Sequence, residues 1–360
     1  FRALIDTWRA QGRSLKPCRV NAKSKGGSPM KRRSSPIAVA CLVGSLVLAG
    51  GSVASAATAQ KFHLKLSHQM APTHTLNETA NKFAELVKEK TQGNVDVEVF
   101  PSASLGSERE NVEALKTGTL DLGIIAVEFY PSYVKESAVL ILPYLYKDYD
   151  HLSRVLASDV GKDVAAMILD KTNIRPLTYL TMAFRQMFTN REVRNAADLK
   201  GLKMRVPESP LYVAAFKQLG AAPTPIAWGE VYTALQTGVV SGVENTPEAV
   251  QTTSLDQVTK FMNFSNHMTS SSTISMSESV FKKLPKEYQQ AVLSAAAEAA
   301  KFNHGLTVSR DQEYRAKLGK TLKVVQPDVE SFRKAIRYDQ IDLVSSDKAK
   351  ELITKLMAIK

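Results

Sequence analysis

Asp198-Leu199-Lys200-Gly201-Leu202-Lys203-Met204-Arg205-Val206-Pro207 opens the segment whose reading decides the fold. Leu202, Met204 and Val206 alternate with other residues at the period of a strand. A helix is predicted over about 209–219, stopped by Gly220, then a short strand over 221–226. A second helix is predicted over about 228–237, stopped by Gly238. Residues 239–243 then read as a strand covered on both faces. The same order occurs earlier in the chain. Residues 61–66 alternate as a strand, and 73–91 carry Leu76, Ala80, Phe83, Leu86 and Val87 at helical spacing before Gly93. Val95, Val97 and Val99 form a strand ended by Pro101, a helix runs from about 106 to 117, and 120–127 is a nearly all-apolar strand. The units even share letters, Ala114-Leu115-Lys116-Thr117-Gly118 against Ala234-Leu235-Gln236-Thr237-Gly238. Each is a βαβαβ unit, and strands that alternate with helices imply parallel pairing. The fold class is therefore α/β, in two lobes of related plan. Leu284-Pro285 opens a long helix reaching about Leu318, long enough to bridge both.

In parallel α/β sheets, ligands bind beyond the carboxyl ends of the strands. Arg205 ends the first strand of the second unit, followed by Glu208. The next strand leads into Trp228, and the third ends at Glu244-Asn245. A guanidinium in such a place clamps a carboxylate through two parallel hydrogen bonds, or pairs with an internal acid. Asn245 both donates and accepts, or caps the helix that begins near Pro247. Trp228 offers a flat apolar face, or simply joins the core. Arg185 lies in a short alternating strand, 183–188. His68 and His74 flank the loop after the first strand, where a solvated histidine is the plainer reading.

The full chain of 360 residues carries 47 Lys+Arg against 35 Asp+Glu, a net charge of +12. That total invites a nucleic-acid or anionic-membrane partner. Its distribution removes the invitation. Residues 1–59 hold ten basic residues and one acid, leaving 37 and 34 in 60–360. Both cysteines, Cys18 and Cys41, lie in the same front segment, so neither a disulfide-dense scaffold nor a cysteine-rich zinc site is available. Met30-Lys31-Arg32-Arg33, the small apolar run 37–51 and Ala57-Thr58-Ala59 before Gln60 have the plan of a cleavable signal peptide. The run is too short and glycine-rich to remain as a stable span. Residues 1–29 lack periodicity and read as upstream sequence, with Met30 the expected start.

Enzyme signatures are weak. No G-x-S-x-G, H-E-x-x-H, Walker loop or G-x-G-x-x-G occurs. Ser270-Ser271-Ser272 has no obvious base and reads as a polar loop or strand edge.

From about 61 to 339 the sequence resembles the extracytoplasmic solute-binding protein of a TRAP (tripartite ATP-independent periplasmic) transporter, the DctP-type family. The resemblance rests on 198–207, on Gly229-Glu230-Val231-Tyr232-Thr233-Ala234-Leu235-Gln236-Thr237-Gly238-Val239-Val240, on Glu244-Asn245, and on Leu142-Pro143-Tyr144 and Phe100-Pro101. It implies a two-lobed, periplasmic-binding-protein-like fold with a bridging C-terminal helix. Lobe 1 is expected over 60–182 plus about 271–310, and lobe 2 over 183–270 plus about 311–360. The implied function is a periplasmic receptor that closes on an organic acid and delivers it to TRAP membrane subunits, without catalysis, cofactor, metal or nucleic acid. The acid is expected to be a hydroxylated or sugar acid or a dicarboxylate. By resemblance, Arg205 clamps the ligand carboxylate, Arg185 assists, Asn245 faces the ligand and Trp228 stacks on it. Glu208 stands at a position that varies with the ligand. With Glu244 and His68 these residues form the candidate ligand-binding set. Two departures bear on the ligand: Ser241-Gly242-Val243 replaces the common Asp-Gly, and Ile125-Ala126-Val127 is apolar where some members place a polar contact. The alternatives are an exported enzyme using Glu208 or Glu244 as general base, and a sensor subunit that presents ligand to a receptor kinase.

Overall fold

The structure, a computed structural model, describes residues 60–359. The expected signal peptide, the segment before it and both cysteines lie outside the described residues.

The first unit runs β1 (Phe62–Ser67), α1 (Thr75–Lys90), β2 (Val95–Phe100), α2 (Glu108–Thr117) and β3 (Leu122–Ala126). Two 3-10 segments, Val127–Ser132 and Lys135–Ile141, lead to α3 (Tyr149–Ala157) and α4 (Asp159–Thr172), and then to the long β4 (Ile174–Thr189). The second unit is β5 (Lys203–Val206), α5 (Pro210–Gln218), β6 (Ala222–Pro225), α6 (Val231–Gln236) and β7 (Gly242–Asn245). The chain continues through α7 (Pro247–Thr252), the long β8 (Phe261–Ser277), α8 (Glu278–Phe281), α9 (Lys286–Leu318), β9 (Lys323–Val325), α10 (Val329–Ala335) and α11 (Asp347–Met357).

Both parallel units are present, as opposite ends of one sheet rather than as separate sheets. The strand order is β2-β1-β3-β8-β4-β7-β5-β6, with β9 also on β8. β1 is parallel to β2 and β3, and β5 is parallel to β6 and β7. Between them β8 and β4 run antiparallel to each other, to β3 and to β7. The predicted glycine stops are real: Gly118 and Gly238 close α2 and α6 at φ of 77° and 76°, a region glycine enters without strain. Ser107 opens α2 with a capping box closed by Glu110.

Three sequence expectations are corrected here. The strand placed at 239–243 is found at Gly242–Asn245, so Glu244 and Asn245 are strand residues rather than residues beyond its end. Arg185 belongs to a 16-residue strand, not a short one. The serine cluster is not a loop but part of β8, where Ser271 and Ser272 pair with β4 and Ser272 pairs also with Ala126 of β3. Its polarity hid it, since a buried hydroxyl needs a partner that no hydropathy pattern reveals. The Tyr130 hydroxyl lies 2.9 Å from both Thr273 Oγ1 and Ser275 Oγ, and Thr273 Oγ1 donates to Ile125 O at 3.1 Å.

Each end of the sheet has its own core. Leu66, Phe83, Val87, Leu122 and Val292 pack at the first end, and Phe188, Val231, Leu235, Val243 and Val250 at the second. The 33-residue α9, about 50 Å long, packs on α1, β4 and α7 and so reaches both ends, as expected of a bridging helix. Of the C-terminal residues, β9 pairs with β8 and α10 packs on it, whereas α11 lies on α4. The register of β4 on β8 breaks between Thr181 and Phe184 and again between Arg185 and Met187, bulges that bend the pair beside the cleft.

Candidate functional site

The carboxyl ends of β1, β3, β5 and β7 converge on one cavity. Its walls include His68, Gln69, Glu108, Ala126, Glu128 and Met182, together with Arg185, Arg205, Pro207, Trp228, Asn245 and Ser272. Five of the seven residues singled out in the sequence therefore meet here: Arg205, Arg185, Asn245, Trp228 and His68.

The two arginines have different situations. Arg185, on β4, is 3% exposed. Its Nε donates to Glu244 Oε2 at 2.5 Å and its Nη2 to Glu244 Oε1 at 2.7 Å, the two-bond fork that suits a guanidinium. Nη1 lies 3.6 Å from Glu128 Oε1, and the guanidinium stands over the Tyr212 ring at 5.1 Å. Burial disfavours its charge, but Glu244 outweighs burial and the pKa rises. Glu244 is held low in turn: its own burial is overcome by Arg185 and His267.

His267 Nε2 is 3.2 Å from Glu244 Oε2, and its Nδ1 is 2.8 Å from Ser265 Oγ. Burial lowers the histidine pKa, so the ring is neutral. A carboxylate only accepts, hence Nε2 carries the proton and Nδ1 accepts from the serine hydroxyl.

Arg205, on β5, is equally buried but carries no such fork. Its Nε and Nη2 both donate to the neutral carbonyl of Ile226, at 2.9 and 2.7 Å, and its guanidinium stacks on Trp228 at 5.3 Å. Burial, helped by Arg185, pushes its pKa down to about 10, which leaves it charged at neutral pH. A desolvated cation whose hydrogen bonds go to a carbonyl is a ready partner for an incoming carboxylate.

His68 is buried rather than solvated, a correction to the sequence reading. Its Nε2 is 3.2 Å from Asn77 Oδ1, while Asn77 Nδ2 donates to Pro72 O at 2.8 Å. Asn77 Oδ1 is therefore the acceptor and His68 Nε2 the donor. Burial lowers the His68 pKa to about 4, so Nδ1 is an unprotonated acceptor, and it has no protein partner. Asn245 Oδ1 accepts from the N–H of Thr246 at 2.8 Å.

Two candidates do not line the cavity. Glu244 sits behind Arg185 and is consumed by it. Glu208 is at the mouth, where its Oε1 lies 3.7 Å from Nε of Arg109, a partly exposed pair.

Two acids that the sequence reading missed do line it. Glu108, the first residue of α2, is buried. Its Oε1 accepts the N–H of Ala126, and its Oε2 has no protein partner. Burial, then the neighbouring Glu128, push its pKa up to about 8. Glu128, just past β3, is also buried. The rule of strand carboxyl ends, applied to β3 as it was to β5 and β7, finds Glu128. It also resolves the apolar departure at 125–127: the polar group enters two residues beyond Ala126. Glu108 looks like ordinary helix-dipole decoration in the sequence, and only its burial says otherwise. Among the described residues, no group of three His, Cys, Asp or Glu is placed to hold a metal ion, and no helix is long and apolar enough to cross a membrane.

Two related α/β ends, two long crossing strands and a buried arginine in the cleft between them define a two-lobed solute-binding receptor. The chain belongs to bacterial extracellular solute-binding protein family 7 (DctP), whose model matches residues 66–341. A solute-binding protein of Roseobacter denitrificans is 34% identical over 284 residues, 79% of this chain and 87% of the relative. A crystal structure of a TRAP periplasmic solute-binding protein from that organism, with bound L-galactonate, superposes with a TM-score of 0.78 at 32% identity, covering 83% of this chain and 99% of that one. The C4-dicarboxylate-binding periplasmic protein DctP of Rhodobacter capsulatus is 34% identical over 261 residues, 71% of this chain and 77% of the relative. A TRAP periplasmic solute-binding protein from Sulfurospirillum deleyianum with bound succinate superposes with a TM-score of 0.78 at 30% identity, covering 84% and 100% of the two chains. These relatives are solute-binding receptors, and the family is extracytoplasmic.

Proposed function

We propose that this protein is the exported receptor of a TRAP-type transporter. It binds an organic acid in the cleft and hands it to the membrane subunits unchanged. The observation that carries this reading is Arg205, buried in the cleft with its hydrogen bonds directed to a neutral carbonyl. A carboxylate entering there meets a preformed charge, and closure then excludes water and strengthens the pair. Asn245, Trp228 and His68 surround the bound acid. Arg185, fixed by Glu244, assists by shaping the wall beside Arg205. The lobes divide at about 182/183 and 270/271, where the Thr181–Phe184 register break gives β4 and β8 a place to flex. Residues 30–59 direct export and are removed before Gln60.

Arg205→Ala removes the clamp, at a cost on the order of 2–5 kcal/mol, the range for truncating one member of a buried charge pair. Calorimetry with an acid that the native protein binds is expected to detect no binding to a folded Arg205→Ala chain. Unchanged affinity overturns the clamp. An enzyme is the weaker reading, because Glu244 is committed to Arg185 and Glu208 lies outside the cavity. Recovery of the bound acid without chemical change, by mass spectrometry after long incubation, separates receptor from enzyme.

A further inference from the structure

We infer that the cleft selects a hydroxylated monocarboxylate over a dicarboxylate, with Glu108, Glu128 and His68 reading the hydroxyl-bearing part of the ligand opposite Arg205. This rests on the reading of the cleft as an organic-acid site and narrows its substrate class.

The first support is charge. Among the described residues lining the cavity, the permanent cations are Arg185 and Arg205. Arg185 is already forked by Glu244, with Glu128 on its remaining edge. That leaves Arg205 for one ligand carboxylate. A second carboxylate would face the Glu128 carboxylate, with no cation left to pair it, because His68 is held neutral there by burial. Arg109 does not supply the missing charge, because it is at the mouth with Glu208.

The second support is hydrogen-bond polarity. Two buried atoms of the wall, His68 Nδ1 and Glu108 Oε2, have no protein partner. The bond from His68 Nε2 to Asn77 makes Nδ1 an acceptor. Nδ1 is satisfied by a ligand O–H and not by a carboxylate oxygen, which only accepts, whereas Oε2 takes a hydroxyl in either direction once Glu108 is protonated. Leaving a buried polar atom unpaired is costly, so a site built this way rejects the analogue that lacks the hydroxyl.

The third is the state of Glu108. It faces Glu128 on the segment after β3, Arg185 on β4 and Arg205 on β5, with Tyr130 nearby. In that setting it keeps its proton at neutral pH. It thereby avoids adding a further negative charge beside the ligand, and it both donates to and accepts from hydroxyls.

The test is calorimetry at pH 7 with a panel of aldonates and uronates (L-galactonate and D-glucuronate among them) against succinate and other C4–C5 dicarboxylates. At least one hydroxylated monocarboxylate is expected to bind roughly 100-fold or more tightly than every dicarboxylate, the scale of leaving one buried charge unpaired. The Glu108→Gln/Glu128→Gln double variant, checked for a cooperative melt, is expected to narrow that ratio by about tenfold or more. A dicarboxylate that equals or exceeds every hydroxylated acid overturns the inference and leaves the receptor reading standing. An unchanged ratio in the folded double variant overturns the role of the two acids. The native preference decides the class even where the double variant fails to fold. If the native protein binds no acid in either class, the receptor reading itself fails.

Discussion

Glu108→Gln isolates one buried carboxyl and lets its energetics be read as a pH dependence. In the native protein this side chain is 4% exposed, bonded to the N–H of Ala126 and close to Glu128. Burial, then Glu128, raise its pKa from 4.5 to about 8. In the unfolded chain the same group titrates at its ordinary value. Between those two pH values the native state holds a proton that the unfolded state has released. The stabilising term is therefore fully present below about pH 4.5, declines as pH rises, and stops declining once the native group ionises near pH 8. At about 1.36 kcal/mol per pH unit, an offset of about 3.5 units is worth at most roughly 5 kcal/mol. Local relaxation and water entry reduce this toward about 2. Glutamine keeps the shape and the acceptor for Ala126 but does not titrate. The native protein also contains His68, His74 and His267, whose pKa values burial lowers. Those groups cost stability as pH falls below about 6.5, and they do so equally in both chains, so the difference between variant and native cancels them. Urea unfolding of both proteins at pH 5, 6, 7, 8 and 9 is expected to show Glu108→Gln gaining about 2–5 kcal/mol on the native protein across that range. A difference that stays flat would mean that Glu108 ionises normally, and the account of the buried acid would be refuted.

Glu244→Gln takes the forked counter-charge from the buried Arg185, leaving only the more distant Glu128 at 3.6 Å, and is expected to cost about 3–5 kcal/mol, seen as a lower urea midpoint at unchanged slope; a loss under about 1 kcal/mol contradicts the positioning role given to Glu244. Glu248→Ala, on α7, removes the acceptor of Thr75 N and Oγ1 at 2.8 and 2.7 Å and the neighbour of His74 at 3.6 Å. It ties the start of α1 to the opposite end of the sheet. Its loss is expected to lower stability by about 1.5–3 kcal/mol and to speed ligand release in stopped-flow fluorescence. Gly242→Ala places a methyl 2.5 Å from Met204 Sδ and 2.9 Å from Thr189 Cγ2, so a cost of about 1–3 kcal/mol is expected in the same unfolding assay. Arg109→Ala opens only a half-exposed pair at the mouth and is expected to change stability by less than about 1 kcal/mol.

The parts legible in the sequence are those encoded by local period and turn chemistry. The glycine stops at Gly118 and Gly238, the alternation through Met204 and Val206, and the length of α9 all survive into the structure. What the sequence concealed is long-range. β8 carries Ser271, Ser272, Thr273, Ser275 and Ser277 into the middle of the sheet. There Tyr130, more than 140 positions away, takes up two of the hydroxyls. Without that partner the same letters would read as a surface loop.

The two arginines show the same limit at the level of function. Arg185 and Arg205 sit twenty positions apart, both on strands and both buried, and nothing in their immediate neighbours distinguishes them. Their roles diverge through residues far away in sequence. Glu244 lies 59 positions from Arg185 and takes its guanidinium edge; His267 and Ser265 then fix Glu244 from yet another strand. Arg205 instead donates to the carbonyl of Ile226 and stacks on the face of Trp228. A buried ion pair that is already complete has little to offer a ligand, whereas a buried cation resting on a carbonyl gains most of its electrostatic compensation when an anion arrives. On the proposed reading the site thus separates a structural arginine, which shapes the wall, from a recognising one. The further step, from carboxylate to hydroxylated carboxylate, comes from the acids on the facing wall rather than from either arginine.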